Sequence, residues 1–414
     1  MAVQNDIRYP SSQNTDTTRT LTTVIRKHMR DIEEEMLREH RLTAKLESDG
    51  RVITGVGGAG FDWPVQYRLH DVTDNNGTDP RNFVAQDLWL LANLEYRGYQ
   101  VTDAISKKEK LAARGSEAII KVADGIVERL KVSIRETFAR ELYIDGEAAG
   151  NSKKIHGCES MFGVSTGAGT IHEGWNYAAT AAQVAAGTTE DATSTTYIMA
   201  PSDTYAGLST ALGNYGGAQT TGVFPLGVAD PQYDFWSPLV VNTGSDYFDG
   251  TTDGFSSNAR EVLSFGILNS QRNSAMSDQM DMVLMDRAMY YLARNRLTDA
   301  ERIIVTNKTG LRSFGFKHVF EIDGVECSWE YGIPVTSTVR TAGTVSANVA
   351  YGYNTSNMTL FSMQNELFKV EGPEYDIDTQ HDKVVVDFLG NLKFSSPRRF
   401  VKWCRYSGST SQTV

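Results

Sequence analysis

Residues 102–146 read TDAISKKEKLAARGSEAIIKVADGIVERLKVSIRETFARELYIDG, and the organisation of the chain is read outward from them. The stretch has no proline. Its apolar residues Ile119, Val122, Ala123, Ile126, Leu130, Ile134, Phe138 and Leu142 recur largely in steps of three and four, which makes one continuous helical stripe. The spacing predicts a helix of ~40 residues and roughly 60 Å, several times the usual length. Asp145-Gly146 ends it, and Gly115 and Gly125 are the places where it would bend. One stripe without sustained e/g charge pairing argues against a coiled-coil dimer.

Upstream, residues 51–101 change to Gly, Asn and aromatics, with strand-like alternation in Trp63-Pro64-Val65-Gln66-Tyr67-Arg68-Leu69. The turn-rich Asp74-Asn75-Asn76-Gly77 divides this half from one that ends in Tyr96-Arg97-Gly98-Tyr99-Gln100-Val101. The reading is a long two-stranded excursion, which is marginal alone in water and needs another surface to lie on. Residues 1–20, rich in Ser, Thr, Gln and Asn, read as a flexible arm. A charged helix is expected from Thr20 to Glu47, stopped by Asp49-Gly50. Its thin apolar stripe suits packing on a partner.

Downstream lies a charge anomaly. From Ile155 to Ala259 there is no Lys or Arg, while ten carboxylates fall there. The remaining 41 of the 51 acids face 40 bases, so the net charge of −11 belongs to this block. A phosphate-backbone surface needs cations, which excludes the block as a nucleic-acid interface. It reads as a solvated, loop-rich region, or as a face to which anions must not stick. A short helix is expected near Tyr205–Leu212 and another at Ala259–Arg272, then a strand at Met280–Met285 and a helix at Ala288–Asn295. The last hundred residues read as strands at Val319–Glu330, Asn357–Phe361, Leu367–Val370, Lys383–Leu389 and Phe400–Cys404. The fold class is α+β.

Bulk properties agree with a globular protein too large for one core: 414 residues, 40% hydrophobic, 22% charged. Mean hydropathy is −0.34. No apolar run approaches the ~18 residues of a membrane span, and the N-terminus lacks the layout of a secretory signal. Cys158, Cys327 and Cys404 lie far apart, which excludes a disulfide scaffold or a structural zinc site and fits a reducing cytosol.

Four motifs offer chemistry, and each has a blander reading. Gly55-Val56-Gly57-Gly58-Ala59-Gly60 matches GxGxxG, but Phe61-Asp62-Trp63-Pro64 follows as extended chain where a pyrophosphate site needs a helix N-terminus; a glycine bend is favoured. Gly163-Val164-Ser165-Thr166-Gly167 matches GxSxG, yet Gly167-Ala168-Gly169-Thr170 continues as loop, and nothing pairs His172 or His381 with Ser165. Asp376, Asp378 and Asp382 lack the EF-hand order and read as a solvated turn. The seven histidines show no HExxH and no i, i+4 pair. Bases alternate with aromatics in Pro397–Arg405, which reads as a strand with one charged face rather than a nucleic-acid contact. No catalytic constellation, cofactor site or metal site emerges. An arm, an extended hairpin, an overlong helix and an acidic loop-rich region together suit a tile in an assembly.

The order of these parts resembles the major capsid proteins of tailed bacteriophages over nearly the whole chain. The resemblance rests on order and texture. It includes Phe61-Asp62-Trp63-Pro64-Val65 in the loop, Glu141-Leu142-Tyr143-Ile144-Asp145-Gly146 closing the spine, and Ile155-His156-Gly157-Cys158-Glu159-Ser160-Met161-Phe162-Gly163 after it. Asp281–Met285 with Tyr290-Tyr291-Leu292, then Phe320–Glu326 and Gly332-Ile333-Pro334, are similar to units that follow. The resemblance implies a phage major-capsid-protein fold: an N-terminal arm and helix at 1–50 and an extended hairpin loop at 51–101. It further implies a peripheral domain at 102–165 with the long spine helix at 102–146, a loop-rich axial domain at 166–350, and C-terminal strands at 351–414 returning to the peripheral domain.

It implies a structural protein, not an enzyme, without cofactors. Hexamers and pentamers would close into an icosahedral shell around double-stranded DNA, as a virion capsid assembled in the host cytoplasm. The subunit would be its own main partner, beside scaffolding, portal and decoration proteins, with no membrane. An encapsulin-type compartment shell is the alternative, and a serine hydrolase using Ser165 a more distant one. Some family members crosslink through a lysine in the extended loop; residues 51–100 contain none, so no such crosslink is expected. The short arm implies a separate scaffolding protein. Trp63, Gly55, Gly60, Tyr67 and Ile126 are the expected assembly residues, with Trp63 the anchor on a neighbour.

Overall fold

The computed structural model describes residues 37–67, 76–77, 83, 85, 88–108, 116–148, 150–162, 198–199, 204–210, 236–243, 254–271, 279–300, 318–333, 349–364 and 366–404. In chain order these form helix α1 (Arg41–Ser48), strands β1 (Val52–Val56), β2 (Gly60–Gln66), β3 (Trp89–Glu95) and β4 (Arg97–Ser106), then the long helix α2 (Ser116–Glu141). A 3₁₀ turn at Cys158–Met161 precedes the short strands β5 (Ile198–Met199), β6 (Thr204–Tyr205), β7 (Leu208–Ser209) and β8 (Leu239–Asn242). Helix α3 (Gly254–Ser270), strand β9 (Met282–Met285) and helix α4 (Arg287–Ala300) follow. The chain continues with β10 (Val319–Ile322), β11 (Val325–Trp329), β12 (Ala350–Tyr353), β13 (Met358–Met363), β14 (Lys369–Asp376), β15 (His381–Phe394) and β16 (Val401–Cys404). The fold is mixed α+β.

The apolar stripe of α2 does what its spacing dictates. Ile126, Leu130, Ile134 and Phe138 are buried, and the Phe138 ring meets Phe368 and Phe388 edge-on at 5.1 and 5.3 Å. The described helix runs from Ser116, and Lys107 and Lys108 are also helical, but residues 102–106 are not. Residues 97–106 alternate in exposure as strand β4 and pair antiparallel with β15, from Arg97 opposite Gly390 to Ser106 opposite His381. The apolar stripe begins only at Ile119, and the ten-residue partnership with β15 overrides helix propensity upstream of it. At 1.5 Å per residue α2 spans about 39 Å. Beyond Glu141 the chain turns under the helix end. A Cβ at Gly157 would lie 2.6 Å from the Glu141 carbonyl oxygen, so only glycine lets the Ile155–Cys158 segment cross there.

Two sheets share the core. In one, β15 is the spine: it pairs with β13, β14 and β4, while β1 runs parallel to β13 on its outer side. The other has seven strands in the order β10-β11-β9-β12-β16-β8-β5. Its strands β9, β12 and β16 are buried at every position, as strands covered on both faces must be. Val283, Met285, Ala350, Val401 and Trp403 face α3 and α4, joining Val262, Leu263, Ile267 and Met289. Met282, Leu284, Tyr351 and Tyr353 face the core that contains the α2 stripe.

Strands β13 to β15 join the sheet of β4, and β16, also within 351–414, pairs with β12 and β8 in the seven-stranded sheet. Two expected elements are corrected. No helix forms at 204–210. Ala206 and Gly207, with φ of 53° and 77°, close a two-residue hairpin between β6 and β7, the turn whose twist matches its strands. The single run expected at Val319–Glu330 is likewise a hairpin, turned at Asp323-Gly324. The arm at 1–20, Ser165, His172 and most of the acidic block lie outside the described residues. Among the described residues no helix is long and apolar enough to cross a membrane.

Candidate assembly surface

The glycine run after β1 hands the chain from one sheet to another. β1 pairs with β13, whereas β2 pairs with β3 in a separate two-stranded ribbon. Gly55 and Gly58 have φ of 87° and 117°, the region that favours glycine. No helix opens at Gly60. It begins β2, and a Cβ there would lie 2.6 Å from the Leu94 carbonyl oxygen across the ribbon. The run is therefore a bend that permits close strand approach, and the helix N-terminus a pyrophosphate requires is not at this place.

Along β2 the alternation sends Phe61, Trp63 and Val65 inward. Trp63, 6% exposed, is buried within its own subunit. Its ring lies 6.3 Å from Phe61 and 6.4 Å from Tyr205, and its Nε1–H donates to the Ser395 carbonyl at 3.3 Å. The Lys393 ammonium sits 4.6 Å from the ring centroid, and burial pushes the Lys393 amine down from the usual lysine range. Trp63 therefore presents almost no surface to solvent in its own subunit. Ile126, 4% exposed, belongs to the main core for the same reason. Tyr67 is half-buried and continues the ribbon by donating its N–H to the Leu88 carbonyl at 3.0 Å.

The free surface is on the opposite face of the ribbon. Trp89 is 56% exposed and Leu91 64% exposed. Leu91 pairs with the exposed Pro64, and Trp89 with Gln66. Farther on, Asn93 Nδ2 donates to Asp62 Oδ1, so polar groups border the apolar patch. The signal was present in WLLANLE: Trp89 and Leu91 are apolar on one parity, Leu90, Ala92 and Leu94 on the other. A half-buried strand needs only one of those sets. Phe83, 89% exposed, is a further apolar side chain in the same section of chain.

The groups with chemical potential sit in structural roles. Asp376 accepts from the Asp378 N–H at 3.0 Å, Thr379 Oγ1 at 2.9 Å and Lys383 Nζ at 2.5 Å, and these hydrogen bonds, Lys383 first, hold its carboxyl down to about 2. Asp382 is buried, so the three aspartates do not face one exposed point. Among the described residues no group of three or more His, Cys, Asp or Glu is placed to hold a metal. Cys158, Cys327 and Cys404 are free and buried, and burial pushes their thiols up, that of Cys404 to about 11, so none supplies a reactive thiolate. One buried ion pair joins Lys402 and Glu159: Lys402 Nζ donates to Glu159 Oε1, whose Oε2 accepts from the Tyr351 hydroxyl at 2.5 Å.

No protein-family model matches the chain, and no curated protein matches it. Among solved structures, it is similar to the Cyanophage A-1(L) capsid asymmetric unit, with 14% identity over 86% of this chain and 90% of that one, at a TM-score of 0.49. The capsid of a native GTA particle gives 9% identity over 87% and 90% of the two chains, also at 0.49. The capsid of Myoviridae phage XM1 gives 11% identity over 87% and 92%, at 0.42.

Proposed function

We propose that the protein is the subunit of a capsid-like shell, and more specifically a major capsid protein of a tailed bacteriophage. In this reading hexamers and pentamers close into an icosahedral shell that encloses double-stranded DNA. The sheet of β15 with α2 forms the peripheral domain, and the seven-stranded sheet with α3 and α4 belongs to the axial one. The observation that carries the reading is the β2–β3 ribbon. Its inner face is spent on its own subunit, yet Trp89 and Leu91 stand exposed on its outer face beside Pro64. A lone subunit gains nothing from that apolar surface, whereas a neighbouring copy buries it. The order of ribbon, strand and long helix supports the same reading.

Electron microscopy and sedimentation of the purified chain, with and without the products of neighbouring genes, test it. Rings of five or six, or closed shells, with nuclease-protected DNA inside are expected. Shells filled with protein and free of DNA would favour a nanocompartment, and a monomer under every condition would overturn the shell reading. With no lysine in 51–100, denaturing electrophoresis of mature particles should give a monomer band near the 45.7 kDa chain mass and no covalent ladder.

A further inference from the structure

His156 is 3% exposed, on the segment that passes beneath the end of α2, and it joins three parts of the chain distant in sequence. Its Nδ1 lies 2.8 Å from Asn391 Nδ2 on β15. Its Nε2 lies 3.5 Å from Glu147 Oε1, and that oxygen accepts the Ala206 N–H from the β6–β7 turn at 3.1 Å. The Tyr205 ring stands edge-on to the imidazole at 6.1 Å, and the Tyr205 hydroxyl accepts the Phe394 N–H at 2.9 Å.

The network fixes which atoms carry protons. Asn391 Oδ1 accepts two backbone N–H groups, from His156 at 2.9 Å and Leu392 at 2.8 Å. Its Nδ2 donates one proton to the Glu95 carbonyl at 2.8 Å. Turning the amide over would set Nδ2 against two N–H donors and Oδ1 against a carbonyl, so the amide is locked. The second Nδ2 proton then points at His156 Nδ1, which must be bare, with the ring proton on Nε2 facing Glu147. All the hydrogen-bonding capacity of Asn391 is used only while the ring is neutral.

We propose that His156 is an acid-operated latch: a proton on Nδ1 faces the locked Asn391 amide donor to donor and expels the ring, freeing the 146–157 segment and the β6–β7 hairpin from β15. The charges facing the ring do not reverse this. Glu147 already meets the Nε2 side, and its attraction leaves the donor conflict at Nδ1 in place. Glu141 is engaged by Lys154 at 3.2 Å and by the Tyr99 hydroxyl at 3.4 Å, and Asp145 Oδ1 by the Glu147 N–H at 2.9 Å. The Arg97 guanidinium is held by the carbonyls of Gly146, Asn151 and Lys154. Tyr205 and Cys158 stay neutral, since burial pushes both up. The latch does not depend on the shell reading.

The test is amide hydrogen exchange of the full chain at pH 7.5 and 5.0, corrected for intrinsic rates and read by mass spectrometry. It compares wild type with His156→Asn, whose Oδ1 takes the place of Nδ1 as an acceptor and does not titrate. In wild type, protection of 145–157 and 204–210 should fall about tenfold or more at pH 5.0, while other segments hold. His156→Asn should keep its protection at both pH values. Equal pH responses in the two proteins, or unchanged protection in wild type, would overturn the latch. If His156→Asn does not fold, long-range proton–nitrogen spectra of wild-type imidazoles decide. A bare Nδ1 at pH 7.5 that protonates as protection is lost supports the latch, and a protonated Nδ1 at pH 7.5 refutes it.

Discussion

Trp63 and Trp89 belong to the two strands of one hairpin and face opposite ways. Trp63, opposite Ala92, is 6% exposed and covered by Phe61, Tyr205 and Lys393; Trp89, opposite Gln66, is 56% exposed. A single ribbon thus holds its subunit together with one face and offers the other to solvent. The two faces can be separated by mutation.

Leu91→Asp should leave the subunit folded, because Leu91 is 64% exposed and its replacement buries no charge. Circular dichroism and the thermal midpoint should match wild type, while sedimentation and microscopy should show assembly reduced at least tenfold. Wild-type yield of closed particles from this variant would remove the outer face of the ribbon from any interface.

Trp63→Ala should act in the reverse order. Emptying a buried indole site costs about 3–5 kcal/mol, so the denaturant midpoint of the unassembled subunit should drop sharply. A stable subunit with weakened particles would instead make Trp63 an interface anchor.

Gly332 brings the turn after β11 against α2, and a Cβ there would lie 2.0 Å from the Ala139 carbonyl oxygen. Backbone cannot yield as a side-chain tip does. Gly332→Ala should therefore destabilise the subunit by about 1–3 kcal/mol, measured by denaturant unfolding. Gly125→Ala is the control: a Cβ at Gly125 meets nothing within 4 Å inside a helix, so stability should rise by up to about 1 kcal/mol.

Thr355 Oγ1 contacts two carboxylates, Asp49 Oδ2 at 2.8 Å and Asp281 Oδ2, and has one proton to give. Burial, opposed by the Thr355 hydrogen bonds, raises the Asp281 carboxyl above the usual aspartate range. The folded state then binds this proton more readily than the unfolded chain. Stability is lost as pH rises from the ordinary aspartate range through the raised folded value. Asp281→Asn removes that loss, so it should be more stable than wild type at pH 7 and show a flatter stability profile between pH 4 and 7 in urea titrations. An unchanged profile would show that Asp281 does not titrate in this range.

What could be read from sequence follows the range of the forces involved. The α2 stripe from Ile119 to Leu142 was legible because a helix repeats its burial within a few residues. Asp49-Gly50 was legible as a stop because a positive φ is a local demand that glycine meets, at 65° in Gly50. Residues 102–106 were not, because the strand that claims them lies near the other end of the chain. The sequence showed that Trp63 and Trp89 were both available for burial; which was covered depended on Tyr205, Lys393 and Ser395.

The sequence by itself determined an α+β chain with a long amphipathic helix, a glycine-bent ribbon and an acid-rich, base-free stretch, since each is written in local spacing or in composition. Only the tertiary structure decided where that helix begins, which face of the ribbon is spent inside, and that His156, Asn391 and Glu147 meet. Those outcomes depend on long-range pairing with β15, whose free energy is set by partners that no local window of sequence contains.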